Sequence, residues 1–338
     1  MKTERLALCN ESYQENIARA AAILRKGGVV AMPTETVYGL AAAADNDAAI
    51  RKVFEAKGRP QDNPLIVHIS DLEMLPTVAK DIPPVALALA DAFWPGPFTM
   101  ILPRSTWVAN SVCAGLETVA IRMPSEQAAR DLIAAAGPLA APSANLSGKP
   151  SPTAAAHVLN DLDGKIDAVL MGEDCTVGVE STVVTLATDP PKLLRPGAIT
   201  PAQLQAFLPD LEIDRAVLDE PQKDERVASP GMKYKHYAPK TETYLVEGDA
   251  AAFADFVNAR ENCVAVAFAE DAGITVPVLT YGSKQNESTL ARGLFGALRQ
   301  VDDFGAQTAY IHAPSKTGVG LAVYNRLLRA AAFRVIVL

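Results

Sequence analysis

The sequence predicts an α/β protein in two domains. Three observations carry that reading. Short apolar runs of strand length alternate with amphipathic helical stretches through the first 208 residues. A proline-punctuated, polar stretch interrupts the pattern at residues 209–242, and a second, shorter α/β pattern fills residues 243–338. The chain of 338 residues also suits two domains at roughly 100–200 residues each.

In the first part, residues 15–26 place Ile17, Ala20, Ala21 and Leu24 on one helical face and stop at Gly27-Gly28. Residues 29–33 follow as a buried strand. Asp47 is expected to cap a helix carrying Ile50, Val53 and Phe54 that ends near Gly58. Residues 64–69 read as a strand, and 85–94 as a helix broken by Pro95-Gly96-Pro97. Strands are expected at 98–102, 119–123, 139–142, 168–171 and 182–186, with a helix at 127–136. Residues 209–242 read as an interdomain linker. Its second half, SPGMKYKHYAP (229–239), crowds two tyrosines, a histidine and two lysines between prolines. Beyond it, strands at 243–246, 264–268, 276–279, 308–312 and 334–338 alternate with helices at 250–260, 290–301 and 321–332. That is the pattern of a small, parallel, Rossmann-like sheet.

Composition narrows the function. Hydrophobic residues make up 49% and charged residues 21%, which excludes a disordered or collagen-like chain. The net charge is −8, with the acidic excess spread over both parts, which argues against a nucleic-acid coat protein and against stable nucleic-acid binding. The N-terminus lacks a signal-peptide core, no apolar run reaches membrane-spanning length, and the four cysteines form no CxxC pair. A cytoplasmic protein with reduced thiols and no membrane association is expected. With no coiled-coil repeat or apolar stripe, a monomer is expected. No GxxxxGK[ST], GxSxG or HExxH motif occurs, and the four histidines are dispersed, so no metal cage is expected.

Polar residues concentrate just after the apolar strands, where α/β sheets form ligand crevices. The segments are PTETVYGL (33–40), KGRPQDNPLIVH (57–68), VAIRMP (119–124), PSANLSGKPSPT (142–153), and GVESTVV (178–184) leading to LLRPG (193–197). Each has a plain structural reading. Arg122 within an apolar strand suits an arginine paired to a core carboxylate, and His68 a satisfied core histidine. Lys57 and Arg59 suit cations answering a helix dipole, and Ser143-Ala144-Asn145 a turn. Together, several cations with many small hydroxyl and amide donors suit an anionic ligand with more than one charged part.

Taken in order, these five segments resemble the YrdC-type threonylcarbamoyl-AMP synthases. The linker and second domain match the long, two-domain form of that family, so the resemblance covers nearly the whole chain. It implies a YrdC-like first domain, a twisted open mixed sheet with helices. It also implies the condensation of L-threonine, bicarbonate and ATP into threonylcarbamoyl-adenylate, with release of pyrophosphate. A separate downstream transferase complex would pass the threonylcarbamoyl group to the adenosine beside the anticodon of tRNAs reading ANN codons. On this resemblance Thr36, His68, Arg122, Ala141 and Ser181 would hold L-threonine, with Arg122 on its carboxylate. Lys57, Arg59, Asn63, Thr118, Ser143, Ser151 and Arg195 would hold ATP, with Lys57 on a phosphate. Tyr234, with His236 second, would fold over the nucleotide as a lid; the plain structural reading of the linker is a rigid spacer that places the second domain. No protein nucleophile is required, and Mg2+ would arrive with ATP, keeping waters rather than entering a protein cage. The competing expectation is an RNA-binding or ribosome-maturation paralogue. It would need a basic concave surface on this acidic chain. A carbamoyl-transfer protein of the hydrogenase-maturation kind would need acylphosphatase and zinc-finger segments, and neither is visible. The second domain shows no catalytic constellation; regulating, docking a partner and holding the lid all stay open to it.

Overall fold

The interleaved pattern resolves into two sheets. The computed structural model describes residues 2–61, 63–220 and 237–338. In chain order the first domain runs β1 (Glu4–Ala7), α1 (Tyr13–Arg25), β2 (Val30–Met32), β3 (Gly39–Ala43), α2 (Asp47–Lys57), β4 (Ile66–His68), α3 (Leu75–Val78) and α4 (Pro84–Phe93). It continues through β5 (Phe98–Pro103), α5 (Asn110–Cys113), β6 (Thr118–Arg122), α6 (Gln127–Ala136), β7 (Leu139–Ala140), α7 (Ala155–Leu162) and β8 (Ala168–Met171). It closes with β9 (Thr182–Thr185), β10 (Lys192–Arg195), α8 (Pro201–Gln205) and β11 (Glu212–Ile213).

These strands form one mixed sheet in the order β1-β8-β2-β3-β7-β4-β6-β5-β9-β10-β11. Its two faces follow the period-2 alternation of strand side chains. Val30 and Met32 pack with α1 and α6, whereas Val29 and Ala31 pack with α2, α4 and α7 on the opposite face. The expected strands and helices are present. β3 is an addition: its Gly-Leu-Ala-Ala-Ala sequence has little intrinsic strand preference. Antiparallel pairing to β2 on one side and β7 on the other imposes it. β1 and β10 also went unread, each being four residues long and partly charged. Asp47 is not the cap expected of it. Asn46 caps α2 by accepting from the amides of Ala48 and Ala49, and Asp47 instead accepts from the amide and hydroxyl of Ser111. The first sheet also runs past residue 208, since β11 pairs in parallel with β10.

The second domain comprises β12 (Glu242–Glu247), α9 (Ala250–Asn258), β13 (Cys263–Ala267), β14 (Val278–Thr280), α10 (Glu287–Gln300), β15 (Thr308–His312), α11 (Gly320–Ala330) and β16 (Val335–Val337). Its sheet is wholly parallel, in the order β14-β13-β15-β12-β16. α9 covers one face, and α10 and α11 cover the other. The core under α10 and α11 also takes in Val37 and Val179 of the first domain. Two of the polar sequence segments are therefore seated against the second domain. Every residue of α11 is buried, including Asn325, Arg326 and Arg329. No helix among the described residues is long and apolar enough to cross a membrane.

Candidate active site

β4 and β6 run parallel with His68 beside Arg122, so both side chains leave the same end of the sheet. The next strand, β5, sets Thr99 opposite Arg122, and Thr99 is in turn 2.7 Å from the hydroxyl of Ser181. On the other side Leu139 of β7 pairs with His68, and the chain continues to Ala141, whose amide donates to Ile66. Gly39 and Ser143 meet in an isolated antiparallel bridge. A Cβ on Gly39 would stand 3.2 Å from that of Ala141, so this close approach suits glycine. These elements enclose a cavity lined by Thr34, Thr36, Arg59, His68, Arg122, Ala141, Ser143, Glu180, Ser181, Arg195 and Tyr237, among others. Among the described residues, three guanidiniums and one carboxylate face it, which makes this lining cationic within an acidic chain.

Arg122 is held on three sides. Its Nε donates to the Gly96 carbonyl at 3.2 Å, its Nη1 donates to the Thr36 hydroxyl at 2.8 Å, and its Nη2 lies 2.6 Å from Glu35 Oε1. A guanidinium has five N–H groups, so donor capacity remains for a ligand carboxylate. Thr34 gives its proton to the Val37 carbonyl, so in the 2.9 Å contact between the two hydroxyls Thr36 is the donor. Thr36 therefore presents only a lone pair to a ligand.

His68 Nδ1 stands 3.1 Å from the Ile66 carbonyl, which only an N–H can face. Burial first, and the nearby Arg122 charge second, lower the His68 pKa to about 3. The ring is thus neutral near pH 7, with its proton on Nδ1 and a bare Nε2. Arg195 donates from Nε to the Ser181 carbonyl and from Nη2 to the Ser181 hydroxyl, at 3.0 and 3.1 Å. Burial, then repulsion from Arg326, brings its pKa to about 10, which leaves it charged at neutral pH. Burial alone would raise the Glu180 carboxyl. The Arg326 and Arg195 charges and the Ser151 hydroxyl outweigh burial and hold it below the usual carboxylate range.

Comparison with known proteins adds a decisive observation. The Sua5/YciO/YrdC family model, described as Telomere recombination, matches residues 22–197, and the model described as Threonylcarbamoyl-AMP synthase, C-terminal domain, matches residues 199–332. A Bacillus subtilis protein named threonylcarbamoyl-AMP synthase is 46% identical over 328 residues, 95% of this chain and 94% of its own. This chain belongs to the threonylcarbamoyl-AMP synthase family. The crystal structure of Pyrococcus abyssi Sua5 complexed with L-threonine superposes with a TM-score of 0.91 at 39% identity, covering 100% of both chains. Escherichia coli YciO, by contrast, matches at a TM-score of 0.52 and 25% identity, covering 58% of this chain and 96% of its own.

Within this synthase-family fold, the residues singled out from sequence divide into four groups. Thr36, Arg59, His68, Arg122, Ala141, Ser143, Ser181 and Arg195 all line the one cavity. Lys57, Asn63 and Ser151 are buried but do not line it. The Lys57 ammonium, expected on a phosphate, is turned to the backbone carbonyls of Ser143 and Asn145, where it fastens the loop that carries Ser143. Burial, then the Arg59 charge, pushes its pKa well below the ordinary lysine value. Asn63 keeps its side-chain oxygen buried with no hydrogen-bond partner among the described residues, and Ser151 donates to Glu180 at 2.6 Å. Thr118 stands at the start of β6, four residues before Arg122 and thus about 13 Å away along the strand. Tyr234 and His236 lie outside the described residues. Among the described linker residues Tyr237 lines the wall, buried against Phe295 at 5.2 Å between ring centres. Glu35, Glu180 and Tyr237 received no role from sequence. All three sit in segments singled out there, but only the folded contacts reveal what their charges and ring meet.

Proposed function

We propose that this chain condenses L-threonine, bicarbonate and ATP into threonylcarbamoyl-adenylate and pyrophosphate, a nucleotidyl transfer. The observation that carries the reading is the convergence of Arg59, Arg122 and Arg195 with a neutral histidine on one buried, hydroxyl-lined cavity. Two anions have to be gathered there, an amino-acid carboxylate and a nucleotide triphosphate. Arg122 takes the carboxylate, with the lone pair of Thr36 and the bare Nε2 of His68 accepting from the amino and hydroxyl groups. The Ala141 backbone and Ser181 close that side. Arg59, Ser143 and Arg195 face the nucleotide, with Lys57, Asn63 and Ser151 supporting them from behind. The role of Thr118 would be to contact a part of ATP distant from the reacting phosphorus.

The threonine amine displaces water from bicarbonate to give a carbamate. A carbamate oxygen then attacks the α-phosphorus, and pyrophosphate leaves with the broken P–O electron pair. His68, with a pKa of about 3, does not store the ammonium proton, so that proton passes to water. The protein's part is orientation and charge neutralisation. Among the described residues Glu180 is the one carboxylate that lines the cavity, and Arg326 and Ser151 already occupy it. That donor set suits a Mg2+ carried in on the phosphates with its waters, supplying neutralisation of the departing pyrophosphate. The product would go to a downstream threonylcarbamoyl transferase complex acting on tRNAs that read ANN codons. An RNA-binding reading would call for cations spread over an exposed face. Arg122 and Arg195 are instead 4% and 5% exposed.

The test is pyrophosphate release from ATP with magnesium and bicarbonate, with L-threonine added, omitted or replaced by L-serine. Release that needs both L-threonine and bicarbonate is the expected result. Release independent of either, or none from folded protein, overturns the proposal.

A further inference from the structure

α11 belongs to the second domain, yet its polar face is spent on the first. Asn325 donates to the Val217 carbonyl at 2.6 Å, and Arg329 donates to the Ala216 carbonyl at 2.8 Å. Between them Arg326, wholly buried, reaches furthest. Its Nε donates to Glu180 Oε2 at 3.0 Å, its Nη2 to the Glu180 carbonyl at 3.1 Å, and its Nη1 to the Pro196 carbonyl at 2.5 Å. Those carbonyls adjoin Ser181 and Arg195, and the other oxygen of Glu180 accepts from Ser151. One guanidinium therefore fixes two separate chain segments and one carboxylate of the cavity wall. It does not itself line the cavity. The opposite wall, with Arg122, is braced from within the first domain by Glu35, Thr36 and Gly96.

We propose that Arg326 is a positioning residue for the nucleotide-facing wall, and that the second domain completes the site by supplying it. The inference rests on the synthase reading above. Two effects combine. The planar fork holds Glu180, Ser181 and Arg195 in register, which a point charge does not do. The cation also cancels Glu180, a carboxylate facing the cavity where nucleotide phosphates are to bind. Without Arg326, Glu180 would keep the Ser151 hydrogen bond and the Arg195 charge but lose its directly paired cation, and its buried negative charge would oppose the incoming anion.

The experiment uses the full chain, with α,β-methylene-ATP and L-threonine each titrated by calorimetry, and thermal unfolding recorded alongside. R326M is expected to weaken the nucleotide analogue about tenfold or more, equivalent to about 1.4 kcal/mol, with L-threonine affinity held within about twofold. The double variant R326M/E180Q, which removes the stranded charge, is expected to recover nucleotide binding to within about threefold of wild type. Equal nucleotide affinity in R326M and wild type overturns the inference. So does parallel loss of both ligands without recovery in the double variant, the mark of a purely structural residue. If R326M does not fold, R326K decides. It keeps the charge and loses the fork, so a loss of about threefold or more for the nucleotide alone is expected. An unchanged affinity in R326K overturns the inference. Wild-type protein that binds neither ligand would sink the synthase reading itself, an outcome separate from variants that merely match wild type.

Discussion

Arg122 and His68 stand side by side on neighbouring strands. His68 is buried and its folded pKa is about 3, against an ordinary value of 6.5. The unfolded chain therefore takes up a proton below about pH 6.5 that the folded chain refuses until about pH 3. The stabilising contribution is complete above the upper value and is lost as pH falls through this window, at up to about 1.4 kcal/mol per pH unit. Urea unfolding of wild type and His68→Gln at pH 7 and pH 5 checks it. Wild type should lose about 2 kcal/mol more than the variant over that interval. His157 is also lowered, by burial and then by Arg299, but it is common to both proteins and cancels. For Arg122, truncation to alanine would strand Glu35, a cost of roughly 3–5 kcal/mol. Arg122→Lys keeps the charge opposite Glu35 and loses the fork. It should stay folded while the KM for L-threonine rises about tenfold or more in the pyrophosphate assay. Both plain readings of Arg122 from sequence, core ion pair and cavity donor, meet in one side chain. Sequence could not separate them, because Glu35 and Thr36 lie 86 or more residues away in the chain.

Among the elements, helices were the most legible. α1 buries Ile17, Ala20, Ala21 and Leu24, the four positions its 3.6-residue period marks. Short strands whose existence depends on neighbours, such as β3 and β10, were not legible, because three to five residues carry too little pattern to outweigh composition. Caps fell between. Two adjacent residues at the start of α2 both suit the role, and only the fold shows Asn46 bonding the helix amides while Asp47 holds Ser111. Asn46→Ala should cost about 1 kcal/mol in chemical denaturation, with pyrophosphate release unchanged, because the cap lies at the far end of α2 from Lys57. A larger loss, or an activity defect, would show that the cap also anchors the loop held by Lys57.

Across the whole molecule, the two-domain division was readable from the break in pattern, and the motifs that converge on the cavity were readable as a set. The contact between the domains was not. Asn325, Arg326 and Arg329 among apolar residues give α11 an amphipathic appearance, yet every residue of the helix is buried. Gly178 shows how tight that junction is. Its φ is +82°, and a Cβ there would lie 2.4 Å from the Cα of Arg292 in α10. Gly273 has a similar φ of +76° with open space around it. Gly273→Ala should therefore cost only the backbone strain, about 1–2 kcal/mol. Gly178→Ala should add displacement of the segment that carries Glu180 and Ser181, and lower kcat/KM about tenfold or more. Equal effects of the two substitutions on unfolding and turnover would show that the junction yields.

The bonds that cross the junction also bear on how such chains are exchanged by recombination. Glu180 with Arg326 and Asp161 with Arg299 are charge pairs whose members lie in different domains, and Gly178 leaves room only for the backbone of Arg292. A chimera that joins this first domain to a relative's second domain inherits half of each relationship. It should function only where the donor brings its own matching arginines and the same helix position, so the visible boundary between the domains is a poor place to cut.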